Sequence, residues 1–288
     1  MNRMNITGKT PAAADVAAGS IRFIGTATVL IRFGGYTILT DPNFLHAGDH
    51  VHLGYGLFSK RLTNPAVEID ELPPLDLVLL SHYHGDHFDR IAAERLDRSV
   101  PIVTTPHAAR QLRRHGFRAR HPLRRWESLQ VDKAGAIPLR ITAMPGKHGP
   151  GLVGWLLPPV MGSLLEFGAE SPFRLFISGD TLIHDEFRRI PGRTGPIHVA
   201  LLHLGGTRVL GIYVTMDAQQ GVEAVRILNP ETAIPIHYND YTAFKSPLDD
   251  FKAAIARADL GTTVHYLAHG ETFQFRFVPH SAARRAAS

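Results

Sequence analysis

Cysteine is absent from the 288 residues. That excludes a disulfide framework, a thiolate metal site and a cysteine nucleophile. Any metal must be held by imidazole and carboxylate. Long hydrophobic runs are missing as well: nothing approaches the roughly 20 apolar residues of a membrane span. The first 20 residues are polar and Ala-rich, without the apolar centre of a secretion signal. The expectation is therefore a cytoplasmic protein with no transmembrane segment. What is present is ordinary globular composition, 44% hydrophobic and 20% charged, with 17 histidines and a net charge of +5. The positive excess gathers in Arg110, Arg113, Arg114, Arg118, Arg120, Arg124 and Arg125. Such a run reads as a solvated helix face and loop, or as an attraction for an anionic partner.

The chain turns on His82-Tyr83-His84-Gly85-Asp86-His87. It follows Leu75-Asp76-Leu77-Val78-Leu79-Leu80-Ser81, a β-prone apolar run that reads as a buried strand. A strand aims these side chains and a loop leaves them accessible. His82 and His84 are two residues apart, so in extended geometry they share a side and can hold one ion. Asp86 and His87 come as the chain turns and can face a neighbouring ion, with Gly85 permitting a sharp backbone path. Further strands end in His148, Asp180 and His237. Five histidines and two carboxylates suit two divalent ions, roughly 3.5–4 Å apart with a water or hydroxide between them.

The rest of the pattern alternates strands with helices. Residues 1–19 read as a flexible arm. Ser20–Thr40 reads as a β-hairpin turning at Gly34-Gly35 and ending at Asp41-Pro42. Residues 43–72 form a long Gly-rich loop whose His46, Asp49, His50 and His52 read as surface groups, since no strand aims them. Helices are expected over 88–96, from Pro106 with Thr105 as cap, over 218–228, and from Ser246 with Asp249 completing a capping box. Strands are expected near 100–104, 139–143, 152–157, 163–167, 173–178, 199–204, 233–236, 263–267 and 272–278. That rhythm favours an α/β sandwich, one domain over 20–279 with a frayed tail at 280–288.

The His82-Tyr83-His84-Gly85-Asp86-His87 motif, with His148, Ser178-Gly179-Asp180-Thr181 and His237 in order, resembles the metallo-β-lactamase-fold hydrolases over about Ile21 to Phe277. The resemblance implies a four-layer αβ/βα sandwich with a di-metal site at the sheet edge. It implies that His82, His84 and His148 hold one metal, that Asp86, His87 and His237 hold the other, and that Asp180 bridges them. Asp41 matches the family's early, supporting Asp. Thr40-Asp41-Pro42, Leu72-Pro73-Pro74-Leu75-Asp76 and Asp86-His87-Phe88-Asp89 look most like the branch containing ascorbate-6-phosphate lactonase and N-acyl-phosphatidylethanolamine phospholipase D.

The activity expected is hydrolysis of a phosphodiester or an ester or lactone by a hydroxide bound to two metals. The metals are expected to be zinc, with manganese as the alternative, and the substrate a small or lipid-like anion. Asp86 and Asp180 are the catalytic candidates, balancing the metal charge and orienting the hydroxide. Lys147, His203, Tyr238 and His269 are candidates for supporting the site or donating a proton to the leaving group. An RNA or DNA phosphodiesterase of the same fold ranks lower, because no nucleic-acid-binding extension is evident. A metal-binding protein without turnover is disfavoured by the complete ligand set, and di-iron redox chemistry by the His at position 84, where such relatives carry Glu.

Overall fold

Leu77–Leu80 is buried at every position, as a strand covered on both faces must be. Leu77 and Leu79 join one apolar cluster and Val78 and Leu80 another, because successive side chains leave a strand on opposite faces. A computed structural model describes residues 2–7, 10–12, 16–53, 58–209 and 211–277. Leu77–Leu80 runs parallel to Tyr36–Thr40 on one side and Ile102–Thr104 on the other. Their sheet has seven strands, in the spatial order Thr272–Arg276, Ala18–Gly25, Thr28–Phe33, Tyr36–Thr40, Leu77–Leu80, Ile102–Thr104, Arg120–Pro122. A second sheet of eight has the order Asn2–Ile6, Ser128–Lys133, Leu139–Pro145, Met161–Phe167, Phe173–Ile177, Val199–His203, Thr232–Ile236, Thr263–Val264.

Three apolar clusters give the layers. Phe23, Val29, Ile31 and Leu79 of the seven-stranded sheet meet Leu139, Ile141, Leu165 and Leu201 of the other in the central cluster. On the outer face of the eight-stranded sheet, Phe176 and Leu202 pack on Val222, Val225 and Phe251, which come from the helices Ala218–Leu228 and Leu248–Ala256. On the outer face of the seven-stranded sheet, Leu39, Val78 and Leu80 pack on Ala92 and Leu112, from the helices Arg90–Arg95 and Pro106–Arg114. The layers are therefore helix, sheet, sheet, helix, the four-layer αβ/βα arrangement expected. Each large apolar side chain enclosed contributes about 1.5–3 kcal/mol.

Helix ends follow their chemistry. Asp89 accepts from Ala92 N, Thr105 accepts from Ala108 N ahead of Pro106, and Asp217 accepts from Gln220 N. The helix Ala218–Leu228 stops at Asn229, whose φ of 43° is left-handed.

Several sequence expectations are corrected. Residues 1–19 are not wholly a loose arm: Asn2–Ile6 pairs in parallel with Ser128–Lys133 and buries Met4. Ser20–Thr40 is part of a three-stranded meander with an additional turn at Gly25–Ala27, where Thr26 has φ 53°. Residues 151–156 form a helix, not a strand. Ser246 caps no helix of its own. Its hydroxyl accepts from Ala218 N at 2.9 Å, across to the neighbouring helix, and Leu248–Ala256 starts after Pro247 without a side-chain cap. The strands expected at 263–267 and 272–278 shorten to Thr263–Val264 and Thr272–Arg276. The tail at 280–288 lies outside the described residues.

Candidate metal centre

The parallel strands of each sheet carry their C-terminal ends to one edge, where open α/β sheets place ligands. Asp41 and the His82–His87 loop leave one sheet there. His148, Asp180, His203 and His237 leave the other. Two of these positions hold unusual backbone: φ is 35° at Asp41 and 61° at His237. Left-handed conformations outside glycine cost about 1–3 kcal/mol and persist where surrounding contacts hold them. Asp41 N donates to Leu79 O at 2.9 Å and His237 N to Thr26 O at 2.6 Å.

Three groups of potential ligand atoms form, of which Asp41 with His87 and His203 stands behind the other two. His82, His84 and His148 make one, and Asp86, His87, Asp180 and His237 the other, with each group's atoms within 4.8 Å of one another. In the first, His82 Nε2 lies 3.0 Å from His84 Nδ1. His148 Nδ1 donates to Val214 O at 2.9 Å, which fixes the tautomer and leaves Nε2 as a lone-pair donor. In the second, His87 Nε2 is 3.2 Å from Asp180 Oδ2, and His237 lies 3.5 Å from both Asp86 Oδ2 and Asp180 Oδ1.

Electrostatics separate the two groups. Burial drives the imidazoles of His82, His84 and His148 below their ordinary range, His84 to about 3. Neutral imidazole is the form that ligates metal. Burial opposes the charges of Asp86 and Asp180. The histidines around them, His87 and His237, nevertheless hold Asp86 at about 2 and Asp180 well below the carboxylate range. Burial likewise opposes a charge on His87, but Asp180, Asp86 and Asp41 raise it well above its usual value. Buried carboxylates thus converge where positive charge is required.

The fit to metal rests on unpaired atoms. Asp86 Oδ1, Asp180 Oδ1 and both ring nitrogens of His237 are buried without a hydrogen-bond partner, and His87 Nε2 has the Asp180 carboxylate beside it. A buried polar group left unpaired costs about 1–3 kcal/mol, and several aimed at one point are the donor set of a cation. The nitrogen and oxygen donors suit zinc or manganese.

Asp41 stands behind these groups. Its Oδ1 accepts from Ser81 N at 2.7 Å and Ser81 Oγ at 3.0 Å, while Oδ2 faces His87 Nδ1 at 3.3 Å and His203 Nε2 at 3.5 Å. It therefore turns His87 so that Nε2 points at Asp180. His203 belongs to this support and is fully buried, with Nδ1 3.2 Å from Ser178 Oγ.

Two other candidates lie elsewhere. The Tyr238 hydroxyl donates to Leu267 O at 3.1 Å and its ring packs on Phe23. His269 faces Asp240 at 3.1 Å. Neither is part of the two ligand groups. Lys147 lines a separate cleft beside His148.

Sequence reasoning missed Ser81, Asn43, Arg208 and Lys245. Ser81 had a signal, since it adjoins His82 at the end of the strand. Asn43 Nδ2 donates to Gly85 O at 3.0 Å and steadies the ligand loop. Arg208 and Lys245 come from distant loops and carry no local motif. With Leu53, Phe58, His84, Asp86, His148 and Asp180 they line a cavity of about 330 Å³ above the ligand groups.

Residues 36–238 match the family described as the beta-lactamase superfamily domain. A UPF0173 metal-dependent hydrolase of Hyperthermus butylicus is 26% identical over 89% of this chain and 100% of its own. Another from Thermus thermophilus is 27% identical over 88% of this chain and 98% of its own. The structure of an isothiocyanate hydrolase from Delia radicum gut bacteria superposes with a TM-score of 0.75. It is 20% identical and covers 89% of this chain and 99% of its own, which is a likeness of fold.

Proposed function

Because the chain belongs to the beta-lactamase superfamily and its relatives are named metal-dependent hydrolases, we propose that it hydrolyses an anionic phosphodiester, ester or lactone with two divalent ions. The observation that carries this reading is the pair of abutting ligand groups with their unpaired buried atoms. Bound there, the ions would supply Lewis acidity and bring the pKa of water toward neutrality.

The chain's own residues do the rest. His82, His84 and His148 offer neutral nitrogens to one ion. Asp86, His87 and His237 face the other, and Asp180 lies between. Asp41 holds His87 in register through Nδ1. Above them, Arg208 and Lys245 give the cavity a positive wall, while Leu53, Phe58, Leu157, Val209 and Val214 give it an apolar one. An anionic group with a carbon frame suits both walls. The Lys245 ammonium is steadied by Thr242 O at 2.8 Å. The sequence likeness to ascorbate-6-phosphate lactonase and N-acyl-phosphatidylethanolamine phospholipase D puts lactones and N-acyl phospholipids among the substrates to try.

Metal analysis combined with a panel of phosphodiesters, lactones and N-acyl phospholipids tests the proposal. The expected result is two equivalents of zinc or manganese and turnover of at least one anionic substrate. His84→Ala and Asp180→Ala should each lower metal content and reduce kcat/KM by more than about 100-fold, beyond the loss from removing a ligand's supporting partner. Full activity in both variants would sink the assignment.

A further inference from the structure

A second cleft, of about 690 Å³, adjoins the metal centre and meets it at His148. The two cavities share His148 and Leu157. Part of the arginine-rich stretch comes together here: Arg110 from the helix Pro106–Arg114, Arg124 and Arg125 from the loop before Ser128–Lys133, and Lys147 from the turn that carries His148. No Asp or Glu is among the described residues that line it. Arg124 is partly neutralised by Glu127 at 3.9 Å. Arg110, Arg125 and Lys147 form no salt bridge among the described residues. Leu123, Met144, Val160 and Met161 give the cleft an apolar wall, and Thr105, His107 and His148 also line it.

We propose that this cleft binds a phosphoryl group of the substrate, remote from the bond that is cleaved, through Arg110, Arg125 and Lys147. The proposal rests on the hydrolase reading for the word substrate, though not for the binding itself. Like-charged side chains brought together without carboxylates repel one another, and a dianion relieves that repulsion. Guanidinium groups meet tetrahedral oxyanions with paired hydrogen bonds, and the lysine adds a point charge. Burial lowers the His184 imidazole, with Arg125 and Lys147 both adding to the effect against Glu186 and Asp185, so both cations act on one neighbouring group. The first turn of the helix Pro106–Arg114 also borders the cleft and adds the positive end of its dipole. Leu123, Met144, Val160 and Met161 suit an aliphatic frame.

The test is a calorimetric titration of the purified full chain with inorganic phosphate and with butyl phosphate. It compares wild type, Arg110→Ser/Arg125→Ser, and the control Arg113→Ser/Arg118→Ser. All four arginines are solvent-exposed, so neither double variant disturbs the core. The expected result is at least a ten-fold weaker Kd in Arg110→Ser/Arg125→Ser and a change within two-fold in the control. Butyl phosphate should bind wild type more tightly than inorganic phosphate, because the apolar walls take up the chain. Equal weakening in both double variants, or in neither, overturns the site. Equal affinity for the two probes overturns its assignment to a carbon-bearing substrate. Binding needs no turnover, so an inactive substrate panel would count against the hydrolase proposal and leave this result standing.

Discussion

Gly85 shows how one residue sets the ligand loop. Its φ is not among the positive values, so a special backbone conformation is not the reason for glycine there. A Cβ at this position would instead run into Cγ2 of Val51, which is 5% exposed and packs with Leu45 and Tyr241. The His50–His52 strand therefore closes directly over the turn between the two ligand groups. Gly85→Ala is expected to destabilise the fold by about 1–3 kcal/mol, the range for overpacking a close contact. It should also lower metal content, since the turn that carries His84 and Asp86 must shift. The double variant Val51→Ala/Gly85→Ala should be more stable in urea than Gly85→Ala alone. If the two losses simply add, the contact is not the cause. The sequence could show that a glycine stood between the ligands. It could not show why, because Val51 comes from a segment without periodicity.

At the scale of elements, the long segment from Asn43 to Leu72 buries scattered apolar residues, Phe44, Leu45, Val51, Val67 and Ile69, without a regular period, and is tied down by polar contacts that no local pattern reveals. Arg61 is fully buried within it. Its guanidinium donates to Thr26 Oγ1 and to Asn43 Oδ1, its Nε donates to Thr63 O at 2.9 Å, and it lies 5.1 Å from the Tyr241 ring centre. It ties the meander turn, the start of the segment and the 237–242 loop into one unit beneath the site. Asp89 also ties the start of the segment, accepting from Phe44 N and Leu45 N with one oxygen and from Ala92 N with the other. Replacing Arg61 by Leu strands those acceptors and should cost about 3–5 kcal/mol in urea denaturation, the range for breaking a buried charged partnership. A loss below 1 kcal/mol would show that the segment is anchored elsewhere.

Asp240 completes this unit, accepting from Thr26 N at 2.6 Å and from Thr63 Oγ1. Burial opposes its charge, but His269 and Arg61 hold its pKa below the ordinary value. A carboxyl depressed in the folded state stabilises the fold above its unfolded pKa, near ~3.9, and that stability is lost as pH falls through the folded value. The stability gap between wild type and Asp240→Asn should therefore be widest above about pH 5 and narrow toward pH 3. A gap unchanged across that range would remove the linkage.

For the whole molecule, the legible part was whatever a local pattern carried. The apolar runs gave the buried strands, Thr105 with Pro106 gave a helix start, and the ligand types at strand ends gave the residues of both groups. Illegible were contacts between distant segments: Asn2–Ile6 reaching Ser128–Lys133, Ser246 serving another helix, and Arg208 and Lys245 meeting over the cavity. These depend on which strand ends share an edge, and that emerges only when two sheets pack. The same edge joins the sheets through the ligands. His82, His84, Asp86 and His87 belong to the seven-stranded sheet's loop, and His148, Asp180 and His237 leave the eight-stranded one. Metal held there would bridge both layers and, bound by the folded chain alone, would stabilise it by mass action, about 4 kcal/mol at a thousand times Kd. At roughly 2–4 °C per kcal/mol for a chain of this size class, chelation should lower Tm by about 10 °C, and added zinc or manganese should restore it. In Asp180→Ala the Tm should respond less to both chelator and metal than in wild type. A wild-type Tm indifferent to chelation, in protein shown by analysis to have lost its metal, would mean that the two sheets hold their edge together without the ions.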